Sequence, residues 1–225
     1  MNKIELKTLL EDIKKNGVTV SNSIVLSDTI SRLNDEIMAE NNKSAGKTDV
    51  AKSANSIIKD AKRAYNKQLH GSWIADGKQY VCDGCRALEI LEPIELEKIS
   101  DDVQPVDVKP FFDSTLNDEV IQLPSKKELE NLIKQAKSEM KNNGYSITGK
   151  KFAYKFECGA IVNAKYLIDA IVATGCNTCM IRKTNGKYIS PLMFRSDNVN
   201  AIVLPINAKA CNGKLNLCDG KIYAL

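Results

Sequence analysis

The chain has 225 residues, 43% of them apolar and 27% charged, which excludes a wholly disordered chain, a collagen-like repeat and a small disulfide scaffold. Its 32 Lys+Arg stand against 28 Asp+Glu, giving a net charge of +4 and a pI near 8.6, short of the pI of about 9 that marks a strongly basic nucleic-acid domain. No apolar run reaches the roughly 18 residues of a membrane span, and the first residues lack the apolar core of an export signal, so a cytoplasmic protein is expected.

From the start, a short strand leads into a helix with Leu6, Leu9, Leu10 and Ile13 at helical spacing, stopped by Asn16-Gly17. Val18 to Leu26 alternates well enough for a strand or extended segment. Ser27-Asp28 caps a second helix through Met38, and the polar stretch Glu40 to Asp49 reads as a loop around Gly46. Within it, Ser44-Ala45-Gly46-Lys47-Thr48 looks like the end of a phosphate-binding loop. Asn41 stands where the earlier glycine is required and no strand precedes it, so that motif is rejected. The next helix, Val50 to Leu69, has an apolar stripe of Val50, Ala54, Ile57, Ile58, Ala61 and Tyr65. Lys52, Lys59, Lys62, Arg63 and Lys67 cover the rest, against one acid, Asp60. Such a face either neutralises phosphates or is simply solvated.

From Ser72 the period becomes two. Trp73 to Ala75 and Lys78 to Cys82 form a hairpin around Asp76-Gly77, and Arg86 to Leu91 is another strand. Residues 95–118 are acidic, carry Pro105 and Pro110, and read as a connector docked by Phe111-Phe112. Val120 to Leu123 is a strand. Pro124-Ser125 starts a helix with Leu129, Leu132, Ile133, Ala136 and Met140 inward and Lys126, Lys127, Lys134, Lys137 and Lys141 outward, ended by Asn142-Asn143-Gly144. Phe152 to Phe156 is a strand and Asn163 to Thr174 a helix packed on a sheet. Three strands follow, Thr178 to Lys183, Tyr188 to Arg195 and Asn200 to Ile206, the first two joined by an Asn185-Gly186 turn. The pattern is α+β with an antiparallel sheet.

The seven cysteines are odd in number and lie in a chain without an export signal, which argues for thiols. Cys82/Cys85 and Cys176/Cys179 have Cys-x-x-Cys spacing. That suits either a four-thiolate zinc or small strand-and-turn residues, and the pairs lie much farther apart than in a zinc ribbon. His70 has no Ser or Cys nucleophile motif beside it and reads as a cap before Gly71. No catalytic residue, metal or cofactor is expected.

Ile161-Val162-Asn163-Ala164-Lys165-Tyr166-Leu167-Ile168-Asp169-Ala170-Ile171 resembles the last helix of bacterial DNA sliding clamps, the DNA polymerase III beta subunit, where a Phe-Asn-x-x-Tyr-Leu-Leu-Asp-Ala-Leu pattern precedes three strands. Ser190-Pro191-Leu192-Met193-Phe194 resembles the clamp's Ser-Pro-aliphatic strand, and Ile202-Val203-Leu204-Pro205-Ile206 its terminal strand. Tyr80-Val81-Cys82-Asp83-Gly84-Cys85-Arg86-Ala87 is similar to the Ala-Thr-Asp-Gly-His-Arg-Leu stretch. The matches cover about a third of the chain. Cys82 and Cys85 replace the family's Thr and His, and Asn207 its usual Arg.

The resemblance implies a DNA-clamp-like α+β fold of two strand-helix-three-strand units, with a helical insertion at about 27–70. Residues 1–100 would be the first half, 101–118 the connector and 119–225 the second half. It implies a non-enzymatic protein of replication, of phage or mobile-element type, that binds double-stranded DNA without sequence specificity through the two Lys-rich faces. Client peptides of replication proteins would dock on Asp83, Gly84, Cys85, Arg86, Ala87, Val203, Leu204, Pro205 and Ile206. There Arg86 either donates to the peptide or braces its own turn. Clamps close a six-domain ring from subunits of three domains, each of two such units. This chain holds about two units, so a ring would need a homo-oligomer of several copies or a different closure. The other reading is a monomeric peptide-binding adaptor without DNA encirclement.

Overall fold

A computed structural model describes residues 3–113, 119–148, 151–182, 190–206 and 222–224, and the chain divides into two units, Met1–Thr48 and Asp49–Leu225. The first unit is a pair of helices, α1 (Lys3–Asn16) and α2 (Val20–Ser44). Gly17, at φ 72°, ends α1 where Asn16-Gly17 predicts the stop. The strand expected over Val18 to Leu26 is instead the start of α2. Thr19 has extended backbone, its hydroxyl accepts from the Asn22 amide at 3.2 Å, and the Asn22 side chain accepts from the Thr19 amide at 2.7 Å. This reciprocal cap turns an alternating stretch into a first helical turn. The polar loop shrinks correspondingly, because α2 runs to Ser44, and the described residues from Lys3 onward contain no leading strand.

The second unit opens with α3 (Thr48–Ala61), followed by β1 (Trp73–Ala75), β2 (Lys78–Cys82) and β3 (Arg86–Ile90). Asp76 and Gly77 take φ 50° and 76°, the two left-handed residues of a tight hairpin turn. Next come α4 (Lys109–Asp113), β4 (Glu119–Gln122), α5 (Lys126–Asn142), β5 (Phe152–Lys155), β6 (Ile161–Asn163) and α6 (Ala164–Thr174). The last strands are β7 (Thr178–Ile181), β8 (Leu192–Arg195), β9 (Val199–Val203) and β10 (Ile222–Ala224). The Asn185-Gly186 turn, Asn207, Cys211 and Cys218 lie outside the described residues.

Seven strands form one antiparallel sheet in the order β1-β2-β3-β9-β8-β7-β4, and β10-β5-β6 form a second. The order is nearly palindromic. A helix followed by three sequential strands occurs twice, as α3-β1-β2-β3 and α6-β7-β8-β9, and the two third strands pair at the centre with Leu88 opposite Ala201. A strand, β6, precedes α6. Helix α2 stands before α3, so among the described residues only the second repeat has the expected leading strand.

Side chains alternate across the sheet. Val81, Leu88, Ile90, Phe194, Val199, Ala201 and Val203 face a core shared with α3, α5 and α6. On the opposite face Tyr80, Cys82, Ala87, Met193 and Ile202 pack with Trp73, Val108 and Phe112. The acidic 95–113 segment is docked here. Phe112 is buried beside Tyr80, with ring centroids 6.1 Å apart, whereas Phe111 is exposed. One of the two expected anchors serves.

Candidate functional site

The β2–β3 turn is built by Asp83. One of its carboxylate oxygens accepts from the amides of Cys85 and Arg86, both at 2.9 Å, and Gly84 takes φ 84°. Arg86 then points to the helix-covered face, its side chain 2% exposed. Nε donates to Asp83 at 2.9 Å, Nη2 to Asp60 on α3 at 2.7 Å, and Nη1 to Asp169 on α6. The guanidinium also lies 4.2 Å from the centroid of the Tyr166 ring. Its donors therefore tie the turn to two helices, which is the bracing geometry. Burial alone would push the Asp60 carboxyl up. The Lys165 ammonium, 2.7 Å away, and the charges of Lys165, Arg86 and Arg63 outweigh it, so Asp60 is held below the ordinary carboxylate range.

The nine expected peptide-contact residues lie together. Arg86 is opposite Val203 in the sheet, and the Leu204 amide donates to the Cys85 carbonyl at 2.8 Å. Arg86, Ala87 and Val203 are interior. Gly84, Cys85 and Leu204 are exposed, with Asp83, Pro205 and Ile206 half-buried around them.

Beside the turn opens a cleft of about 690 Å³. Arg63 and Ala64 line it from beyond α3, Asp83 and Cys85 from the turn, Ile133 and Lys137 from α5, Lys151 and Phe152 from the approach to β5 and its first residue, and Lys165, Tyr166 and Ile168 from α6. Arg63 and Lys137, assigned to separate basic faces, thus meet at one cavity. Lys52, Lys59, Lys62, Lys67, Lys126, Lys127, Lys134 and Lys141 are exposed and outside its lining. Among them Lys62 holds Glu97 at 2.6 Å, and Lys126 reaches to within 3.9 Å of Glu130. Lys151, Lys165, Tyr166 and Asp169 were not singled out by charge or spacing. Three of these belong to the clamp-like segment 161–171, and Tyr166 and Asp169 share a helix face at i, i+3.

The basic helix is shorter than predicted. It ends at Ala61, the amides of Arg63 and Ala64 turn back to Asp60 and Ala61, and Lys67–Leu69 is a separate 3-10 turn. Lys67 is therefore not on α3, and Tyr65, expected in the apolar stripe, is fully exposed. His70 follows the 3-10 turn and its Nε2 meets the Ala64 carbonyl at 2.9 Å. Cys82 on β2 and Cys179 on β7 are four strand positions apart in the sheet, about 19 Å at ~4.8 Å per strand, so the two Cys-x-x-Cys pairs cannot share one tetrahedral ion. Burial pushes the Cys82 thiol up to about 11 and the Cys179 thiol up to about 12. Among the described residues no group of three or more His, Cys, Asp or Glu is placed to hold a metal, and no helix is long and apolar enough to cross a membrane.

No protein-family model and no curated protein matches the chain. Solved structures similar to it include the Helicobacter pylori beta clamp bound to a DNA ligase peptide, at 15% identity and a TM-score of 0.47, over 71% of this chain and 62% of that one. The DNA polymerase III beta subunit of Thermotoga maritima matches at 12% identity and a TM-score of 0.40, over 68% and 64%. The beta subunit from the DNA polymerase of Streptococcus pyogenes matches at 11% identity and 0.42, over 70% and 64%. The chain spans less than two thirds of each of these proteins.

Proposed function

We propose that the chain is a non-enzymatic, clamp-like protein that binds double-stranded DNA without sequence specificity. One observation carries the reading. Cations from both Lys-rich segments, Arg63 and Lys137, line one cleft with Lys151 and Lys165, four cations against two bordering carboxylates, Asp83, bonded to Arg86, and Asp60, shared by Arg86, Lys165 and Arg63. Cations that meet phosphates bind any sequence and release counterions. The remaining basic residues, exposed on α3, in the turns after it and on α5, add to the field that draws a polyanion in. The clamp-like segment 161–171 is folded as strand then helix and followed by three antiparallel strands, which supports the family reading.

The test is salt dependence. With four phosphates neutralised, the logarithm of duplex affinity should fall against the logarithm of salt with a slope of about −3 to −4, read by fluorescence anisotropy. Joint replacement of Arg63, Lys137, Lys151 and Lys165 by Glu should abolish binding. Unchanged affinity and slope in that variant reject the cleft as the DNA site.

A second reading, docking of client peptides from replication proteins, is favoured by Leu204. It is 37% exposed although its amide is fixed to the Cys85 carbonyl, which leaves an apolar side chain at a rigid surface position. Leu204→Glu should eliminate capture of short apolar peptides and leave duplex affinity intact. Retained peptide capture by that variant rejects this site.

A further inference from the structure

The turn after α3 carries a side chain that stands clear of the other described residues. Tyr65 is 104% exposed, against 66% for Tyr145 and 53% for Phe111, the next most exposed aromatics among the described residues. Its turn is nonetheless fixed. The amides of Arg63 and Ala64 bond back to Asp60 and Ala61, the Ala64 carbonyl meets His70, and the Asn66 side chain accepts from the Gln68 amide at 3.1 Å. A ring held out on a pinned turn loses little freedom when it is covered.

Its neighbours set the chemistry of what covers it. Arg63, with its side chain 70% exposed, and Lys67 flank Tyr65 in the chain, and Arg63 and Ala64 are part of the wall of the cationic cleft. Inside that cleft both aromatic rings already carry a cation, Arg86 over Tyr166 at 4.2 Å and Lys137 over Phe152 at 5.7 Å. Tyr65, next to Ala64 in the chain, is thus an open aromatic face adjoining the wall of a cleft lined by cations. In a closed duplex the base faces are stacked on one another. Such a ring gains a stacking partner only from a base that has left the duplex.

We propose that the cleft and Tyr65 together take an unpaired nucleic-acid strand, its phosphates along Arg63, Lys137, Lys151 and Lys165 and one base stacked on Tyr65. The proposal rests on the cleft being the nucleic-acid site. It adds a preference, for a single strand or a frayed junction over closed duplex at this point of the surface.

The test compares a fluorescein-labelled 20-nucleotide oligo-dT with a blunt 20-base-pair duplex on the full chain. Tyr65→Ala should weaken oligo-dT binding about tenfold, within the range one stacked base supplies, and leave the duplex affinity and both salt slopes unchanged. Tyr65→Phe should bind as the parent does. A Tyr65→Ala protein that binds oligo-dT normally, or loses both ligands equally, overturns the stacking role. Lys137→Glu with Lys165→Glu separates the two ideas. Loss of both nucleic acids leaves the cleft reading standing whatever Tyr65 does, whereas unchanged binding of both removes that reading. A fully exposed side chain contributes nothing to the core, so an unchanged melting temperature for Tyr65→Ala verifies that folding is not in question.

Discussion

Arg86 and Glu89 lie three residues apart on β3 and so point to opposite faces of the sheet, each a buried charge with its partners built around it. Arg86 holds Asp60, Asp83 and Asp169 together. Replacing it by Met leaves the Asp83 and Asp169 carboxylates without their cation, and Asp60 with only Lys165 and Arg63. The expected loss is about 3–5 kcal/mol, as for other broken buried pairs, measured by urea denaturation. Glu89 is 2% exposed and accepts from Tyr80 at 2.9 Å, Lys78 at 2.9 Å and Asn200 at 2.6 Å. Burial pushes its carboxyl up, but the bonds from Asn200, Lys78 and Tyr80 prevail and hold it below the ordinary 4.5. A lowered value means that the folded state takes up its proton later than the unfolded chain does. The stabilisation is therefore complete above 4.5 and is lost as pH falls through the lower folded value. Glu89→Gln should destabilise the protein at neutral pH and flatten the part of the acid-denaturation curve that begins near pH 5. A variant whose stability falls with acid as steeply as the parent's contradicts that assignment.

Among the elements, Gly71 shows what a spacing argument overlooks. It reads as a helix stop, but α3 has ended ten residues earlier. A Cβ on Gly71 would lie 2.4 Å from the Ile99 nitrogen and 2.5 Å from the Lys98 carbonyl carbon. Only glycine lets the 97–99 backbone pass, with Ser72 donating to Glu97 at 2.8 Å and Ile99 donating to Ser72 at 3.0 Å. Gly71→Ala should cost about 1–3 kcal/mol or more and speed hydrogen exchange at the Ser72 and Ile99 amides. Unaltered exchange there would show that the contact yields without cost. Elements with a strong local signal were readable beforehand: α5 from its Ser125 start and apolar stripe, α6 from a stretch apolar on nearly every side, and the β1–β2 hairpin from Asp-Gly. The misread stretches are those where polar residues serve the backbone. Thr19 and Asn22 close a cap that alternation disguises as a strand, and α4, β6 and β10 are too short to have a period. The peptide-contact set was brought together because it rested on two recognisable segments. The cleft was not legible, since its walls come from five separate stretches between Asp60 and Ile168 that only the fold gathers. Tyr65 was misassigned for a related reason. Its helical spacing is real, but the helix ends before it.

At the scale of the molecule, the near-palindromic sheet gives the chain two helix-and-three-strand repeats joined at β3 and β9. Seven strands at ~4.8 Å make a sheet about 29 Å wide, far short of the path around a DNA duplex. A ring made from this chain would thus need several copies, whereas an adaptor needs one. Phosphate contacts alone do not separate these, because both would be weakened by salt. Topology does. A closed ring on circular DNA cannot leave without opening, so it should stay bound at salt concentrations that abolish the cleft's contacts, and it should escape once the circle is cut to a linear molecule. The measurement is co-elution of the protein with nicked circular and with linearised plasmid at high salt, beside its mass by sedimentation. Retention on the circle alone, with a mass of several chains, is the result expected of the clamp-like reading. Equal loss from both forms, with the mass of one chain, rejects encirclement and leaves the exposed Leu204 and Cys85 surface as that of an adaptor.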